Sequence, residues 1–430
     1  MPAGPVTQES PLALSRSVAQ VASGNFLEMY DFTVFGYYAT AIAATYFPGR
    51  DAFAGLMLTF ATFGAGFLMR PIGAVVLGAY TDRHGRRSGL LLTLTLMAVG
   101  TLSIAVLPGY AVLGVAAPLL VLCGRLIQGV SAGVELGGVA VYLSEIAPPG
   151  LRGFFVSWQS GSQQLAVVFA ALVGALLTTH LSKAHMAAYG WRIPFLIGCA
   201  IIPFLFVLRG SLKETAAFTA RVQHLTLAQS IASLRAHSGI VALGTMLVTM
   251  TTVSFYFITA YTPTFGTAVL HLSMLDSLVV TLCVGLSNLL WLPLGGILSD
   301  RIGRTPVLVA TTLLAAISAY PVLAWMVAAP SFGTLLAAEL WLSLLYGIYN
   351  GAMVAYLTEI VPESVRTSGF SLAYSLATAI FGGFTPAVAT YLIHVTGNRA
   401  APGVWLSSAA ILGLAATLLL RARKRERGRV

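Results

Sequence analysis

The sequence predicts an all-α membrane protein: twelve transmembrane helices arranged as two pseudo-symmetric six-helix bundles. Three observations carry this expectation. First, 57% of the 430 residues are hydrophobic and only 9% are charged. A water-soluble domain carries roughly a quarter charged residues, so most of this surface must face lipid. Second, at about 20 residues per span the length accommodates about twelve apolar runs joined by short loops. Third, two signatures occur twice. Gly78, Asp82, Arg83, Gly85 and Arg86 recur with the same spacing as Gly296, Asp300, Arg301, Gly303 and Arg304. Tyr142-Leu-Ser-Glu145-Ile-Ala-Pro148 through Arg152 recurs as Tyr356-Leu-Thr-Glu359-Ile-Val-Pro362 through Arg366. Parallel repeats in an apolar chain indicate a duplicated half and a two-bundle transporter.

The apolar runs place spans 1 to 6 at 17–47, 52–79, 88–108, 111–146, 153–180 and 191–208. Spans 7 to 12 fall at 238–262, 274–298, 305–327, 331–361, 367–394 and 402–420. The N-terminal bundle is therefore residues 1–208 and the C-terminal bundle residues 238–430. Between them 209–237 is the only long polar stretch, and it is expected to be a cytoplasmic loop. Residues 1–16 are polar, and no cleavable leader is evident. The three cysteines, Cys123, Cys199 and Cys283, lie inside apolar runs without metal or disulfide spacing, so they are expected to pack.

The net charge of +10 could suggest a nucleic-acid partner, but the placement of the charges points to a bilayer. With the N-terminus inside, 18 Lys and Arg fall in inner segments and only Arg50, Lys183, Arg192 and Arg399 in outer ones. That asymmetry puts both termini in the cytoplasm. The basic tail from Arg421 is read as a topology anchor or an anionic-lipid contact. No phosphate-binding loop, HExxH or GxSxG in a plausible setting is present, so neither an enzyme nor a nucleotide, metal or other cofactor is expected. Energy must then come from an ion gradient.

The repeated loops are expected to act as gates. Gly78 and Gly296 allow close helix approach. Asp82 and Asp300 can pair with Arg83, Arg86, Arg301 or Arg304, or meet a neighbouring helix N-terminus. Glu145 with Arg152, and Glu359 with Arg366, lie at the same end and can join one network. The bland alternative is that these charges only fix topology.

Charges within the spans point to the transported solute. Asn25, Glu28 and Asp31 share one face of span 1, since residues three apart lie within about 120° on a helix. Arg70 in span 2 and Arg125 in span 4 are the only cations inside spans, and Gln128 and Glu135 follow Arg125 on one face. An ionisable group at mid-membrane is costly unless it faces a cavity or a partner. Arginines stay protonated whereas acids titrate. Fixed cations with titratable acids are what a proton-coupled anion carrier needs, so Glu28, Asp31 and Glu135 are the proton-coupling candidates. Either Asp31 or Glu28 is expected to pair with Arg125; a purely structural pair is the alternative. Span 5 opens with Ser157, Ser160, Gln163 and Gln164, donors suited to carboxylate oxygens or to helix-to-helix bonds. Thr252 and Tyr256 of span 7, and Tyr349 and Asn350 of span 10, complete the expected substrate wall. Glu339 and Tyr346 share that face of span 10. Ser287, Asn288, Ser371, Tyr374 and Ser375 are weaker candidates.

The two repeat loops, with Arg125-Leu-Ile-Gln128-Gly129, resemble the major facilitator superfamily. Gly24-Asn25-Phe26-Leu27-Glu28-Met29-Tyr30-Asp31-Phe32 and Arg70-Pro71-Ile72-Gly73-Ala74 resemble its metabolite–proton symporter branch. Within that branch the chain is similar, almost end to end, to bacterial citrate–proton symporters and tricarballylate carriers. Segments such as Ser131-Ala-Gly-Val-Glu-Leu-Gly-Gly138 and Ser157-Trp-Gln-Ser160 carry this likeness. The resemblance implies two bundles rocking about a central site, uptake of a tricarboxylate with protons, and residence in the bacterial inner membrane. A monomer is expected. Moving one charge against 100 mV costs about 2.3 kcal/mol, so a trianion costs roughly 7 kcal/mol, which about three co-transported protons would cancel. Uptake of another organic acid or an osmolyte, with sodium as the possible co-ion, is the alternative; a non-transporting sensor is a remote one.

Overall fold

The structure is a computed structural model that describes residues 26–49, 51–84, 86–133, 135–210, 235–362 and 366–427. Most of the expected central loop lies outside the described residues, as does Asn25. The side chains of Asp82, Arg83, Arg86 and Glu135 are also outside what is described.

Among the described residues, helices form twelve successive spans. Span 1 is 26–37 continued by Ala39–Tyr46. Span 2 is Ala52–Leu68 continued by Arg70–His84, and span 3 is Arg86–Val106. Span 4 runs through Tyr110–Leu113, Ala116–Ala132 and Glu135–Ile146; span 5 is Arg152–His180; span 6 is Gly190–Arg192 with Ile193–Gly210. Span 7 is Ser238–Tyr256 followed by the π-helical turns Phe257–Tyr261 and Phe265–Val269. Spans 8, 9 and 10 are Met274–Ile302, Arg304–Ala328 and Phe332–Ile360. Span 11 joins Arg366–Ala377, the π turn Thr378–Gly382 and Thr385–Thr396; span 12 is Pro402–Arg427. Eight of these helices are long and apolar enough to cross a bilayer, and Leu91–Val106, Ala116–Ala132 and Gly190–Phe204 are shorter apolar helices. Span 1 completes the set; it is described only from Phe26 and breaks at Tyr38. Large apolar side chains such as Leu58, Val76, Leu290, Ile317 and Val404 stand exposed along the spans, the pattern of a lipid-facing surface.

Polar side chains start several helices at the end away from the repeat loops. Asp51 accepts from the Phe53 amide, and Ser273 and Ser331 accept from Asp276 and Thr334. Each satisfies a backbone donor the helix itself leaves open. Between spans 8 and 9, Gly303 takes φ 93, a conformation that disfavours a side chain.

The internal duplication is visible in the packing. The offset is 218 residues from Asp82 to Asp300 and 214 from Glu145 to Glu359. Gly133 of span 4 packs on Gly73 and Ala74 of span 2. Gly347 of span 10, at the 214 offset, packs on Trp291 and Leu292 of span 8, at the 218 offset. The contact between spans 2 and 4 is thus repeated at matching positions between spans 8 and 10.

The halves meet along several helix pairs, among them span 5 with span 8, span 2 with span 11 and span 1 with span 7. Span 5 lies on span 8 from Gly153 against Gly296, through Val168 against Gly285, to Gly174 against Leu278. Span 2 meets span 11 where Gly64 faces Phe384 and Phe67 faces Gly383. At the far end Phe53 stacks on His394, with ring centres 3.7 Å apart. Span 1 meets span 7 at Gly36 and Ala260, and the Thr264 hydroxyl donates to the Gly36 carbonyl at 3.4 Å. Among the described residues, contacts join the halves near both ends of the interface.

Candidate functional site

Two buried ion pairs lie at mid-span in the N-terminal half. Arg70 Nη2 donates to Glu28 Oε1 at 2.6 Å, joining span 2 to span 1. Arg125 Nη1 donates to Asp31 Oδ2 at 3.1 Å and to Gln128 Oε1 at 2.7 Å. Gln128 in turn donates to Thr101 at 3.1 Å. The side chains of Arg70 and Arg125 are 1% and 0% exposed. The helical spacing of Glu28 and Asp31 sends them to different cations, and the small residues between spans 2 and 4 bring those cations close. Arg125, expected to pair with one of the two acids, pairs with Asp31.

An aromatic layer covers the cations. Phe32 lies 5.1 Å from the Arg70 guanidinium and 4.3 Å from that of Arg125. Phe67 lies 4.6 Å from Arg70, and Phe35 and Phe63 lie 4.4 and 5.4 Å from Arg125. Ring faces attract a desolvated cation by about 0.5–2 kcal/mol each, so the guanidiniums are stabilised without neutralisation. Arg125 Nε and Nη2, and Asp31 Oδ1, have no partner among the described residues.

A small cavity opens between the halves. It is lined by Met29, Arg70, Gln163, Thr252, Phe255, Tyr256, Tyr374 and Thr378, and it has room for about one water molecule. A tricarboxylate therefore enters only if the bundles move apart. Arg70, Gln163, Thr252 and Tyr256, four of the expected wall residues, line this cavity.

Other expected wall residues face elsewhere. Arg125 and Gln128 lie behind the aromatic layer. The Ser157 hydroxyl donates to the Phe154 carbonyl, and Ser160 donates to Gln159 Oε1. Gln164 Oε1 accepts from Asn288 Nδ2 at 3.0 Å, tying span 5 to span 8 across the halves. Tyr349 Oη donates to the Leu247 carbonyl at 2.7 Å and is fully buried, so it packs span 10 against span 7 and does not line the cavity. Asn350 donates to Tyr346 Oη at 3.4 Å. Met29, Phe255 and Thr378 were missed because nothing polar marks the first two and Thr378 sits in an unforeseen π turn. Asn288 had a usable signal: it stands 218 residues after Arg70, at the equivalent position of span 8. It also accepts from Ser343 of span 10 at 2.7 Å.

At the repeat-loop end the second copy forms a connected network. Asp300 accepts from the Gly153 and Phe154 amides at the start of span 5, at 2.9 and 3.1 Å. Arg304 pairs with Asp300 at 2.7 Å and with Glu359 at 3.0 Å, and it donates to Ser299 at 2.6 Å. The carboxylate thus holds a helix N-terminus of the other half, where unsatisfied amides favour negative charge. Arg301, Glu145 and Arg152 are exposed at the same end, and Arg366 begins span 11.

Comparison with known proteins agrees with this architecture. Residues 17–239 match the family described as sugar (and other) transporter, and residues 277–430 match the major facilitator superfamily. The chain is 59% identical to a citrate–proton symporter of Salmonella typhi over 95% of this chain and 94% of that protein. It is 58% identical to a citrate–proton symporter of Klebsiella pneumoniae, covering 95% and 92%. Among solved structures, a D-xylose–proton symporter shares the fold at TM-score 0.75 and 20% identity, over 95% of this chain and 97% of that one. The duplicated six-helix halves and these matches lead to one conclusion: the chain belongs to the major facilitator superfamily.

Proposed function

We propose that this protein is a secondary active transporter that carries citrate or a related tricarboxylate into the cell together with protons, by alternating access. The single observation that carries the reading is the double ion pair. Each buried arginine is held by an acid of span 1, beside a cavity shared by both halves. The high identity to citrate–proton symporters over nearly the whole chain supports the substrate class.

The chemistry follows from charge. With Glu28 and Asp31 ionised, the two pairs are neutral together and attract no anion. Protonating both acids releases two guanidinium charges. A carboxylate can then take the place of Glu28 on Arg70. Gln163, Thr252 and Tyr256 add hydroxyl and amide donors. A substrate carboxylate and an acidic proton therefore favour the same state, which is the requirement for symport. On the cytoplasmic side, proton loss restores the pairs and expels the anion. The two bundles, 1–208 and 238–430, act as the rocking bodies, and the Asp300–Arg304–Glu359 network is the latch that breaks when the repeat-loop end opens.

We place the protein in the bacterial inner membrane as a monomer, with both termini cytoplasmic, on the asymmetry of its basic residues. Proteoliposomes with an imposed pH gradient test the reading. Labelled citrate is expected to accumulate when the outside is acidic and to equilibrate without accumulation when the gradient is collapsed. Accumulation that ignores the gradient would refute proton coupling. The neutrality of the paired site also suits a zwitterionic osmolyte. Arg70→Gln discriminates between the two, since citrate uptake needs that cation and uptake of a zwitterion tolerates its loss.

A further inference from the structure

The C-terminal half holds a buried acid with no counterpart of its own kind. Glu339 of span 10 is 1% exposed and stands 214 residues after Arg125, so it occupies the equivalent place in the second half. Where Arg125 joins span 4 to Asp31 of span 1, Glu339 joins span 10 to Thr262 of span 7. Both contacts tie the same helices of the two halves, span 4 to span 1 and span 10 to span 7, and on the span 10 side the charge is reversed.

Hydrogen bonding says what Glu339 carries. Thr262 Oγ1 lies 2.9 Å from Glu339 Oε1 and 3.1 Å from the Phe257 carbonyl. A hydroxyl has one hydrogen. The threonine hydrogen is either shared between the two oxygens or given to the Phe257 carbonyl, in which case the carboxyl supplies the hydrogen of the other contact. Glu339 Oε2 has no partner among the described residues, and an ionised carboxylate in that setting would lack the donors it needs. The titratable groups on the surrounding elements are engaged elsewhere. Tyr261 Oη bonds Thr390, Tyr346 Oη accepts from Asn350, and Asp276 accepts from Ser273 at the start of span 8. Among the described residues Glu339 makes no ion pair. Thr262 lies between the two π turns of span 7, beside the segment that touches span 1 at Gly36. Opening that contact would bring water to Glu339.

We propose that Glu339 is a proton-carrying carboxyl of the C-terminal half, completing with Glu28 and Asp31 a set of three for one tricarboxylate. The step is a proton transfer alone: the carboxyl gains a proton from outer water and returns it to inner water in each cycle. This inference rests on the proton-coupled reading above.

The test reconstitutes the full chain and measures charge moved per citrate, from the voltage at which an imposed citrate gradient drives no net flux at clamped pH. Glu339→Gln keeps a hydrogen-bonding side chain but has no exchangeable proton. It is expected to move one positive charge fewer per citrate than the wild type, so an inside-negative voltage opposes its uptake more. Equal charge per citrate in the two proteins overturns the inference. Citrate counterflow reports whether the variant folds and alternates. If it does not, Thr262→Val takes its place. Losing the hydroxyl that supports the ionised carboxyl should lower net uptake relative to counterflow, and a ratio equal to the wild type's overturns the inference. A wild type that moves no citrate, or moves it without protons, breaks the functional reading; a coupled wild type matched by its variants breaks only this inference.

Discussion

The two halves share a scaffold and differ in what they bury. In the N-terminal half, spans 1, 2 and 4 hold two complete ion pairs, Arg70–Glu28 and Arg125–Asp31. At the equivalent places the C-terminal half has Asn288 and Glu339, with Thr262 as the partner of the acid. It also has π turns in spans 7 and 11, next to Pro263 and Pro386, whose rings cannot donate to the helical ladder. One half concentrates fixed charge; the other supplies neutral donors and a backbone with loosened hydrogen bonding. Duplication fixes where helices lie, and what each half buries at those places has diverged.

The largest expected effect that would break this contrast is at Arg125. Arg125→Gln leaves Asp31 buried without its cation, a loss of about 3–5 kcal/mol, read as a lower melting temperature in detergent together with loss of citrate uptake. Adding Asp31→Asn should recover most of the stability and none of the accumulation. If the double variant accumulated citrate normally, the charged half would not be the recognition half. Next, Glu28→Gln with Asp31→Asn should remove pH-driven accumulation while citrate exchange suffers less, measured as net uptake against counterflow. At the Arg70 equivalent, Asn288→Ala should cost about 0.6–2 kcal/mol, since it severs the Gln164 and Ser343 bonds but unpairs no charge. It is expected to alter the rate of alternation more than the affinity, as seen by comparing KM with maximal rate. The smallest effect is at Tyr349. Tyr349→Phe should cost about 1 kcal/mol through the lost Leu247 bond and leave substrate affinity unchanged in a thermal-shift titration.

Spans, bundle pairing and duplication were legible because they rest on long apolar runs and on a repeated pattern. Which acid meets Arg125 was legible only to within two residues, because helical spacing gives a face and not the neighbour that covers it. Adjacent residues show the limit most clearly. Gln163 and Gln164 stand about 100° apart on their helix, so one lines the cavity and the other reaches Asn288. Tyr349 and Asn350 also part, one reaching the Leu247 carbonyl of span 7 and the other Tyr346 of its own helix, and neither lines the cavity. The aromatic layer over Arg125 was hidden because Phe32, Phe35 and Phe63 read as ordinary lipid-facing or core residues until three helices bring them together. The π turns lie beside contacts with the other half, at Ala260 and Gly383, and Pro263 and Pro386 alone do not announce them.

Phe32 has one more implication. Among the described residues it is the one ring common to both positive centres, beside Phe67 over Arg70 and Phe35 and Phe63 over Arg125, so moving it uncovers part of both guanidiniums in one motion. If Glu28 and Asp31 carry the protons as proposed, they should then exchange hydrogen ions as a cooperative unit: the rate of uptake should rise with acidity more steeply than any isolated carboxyl allows, a steepness that Phe32→Ala would flatten.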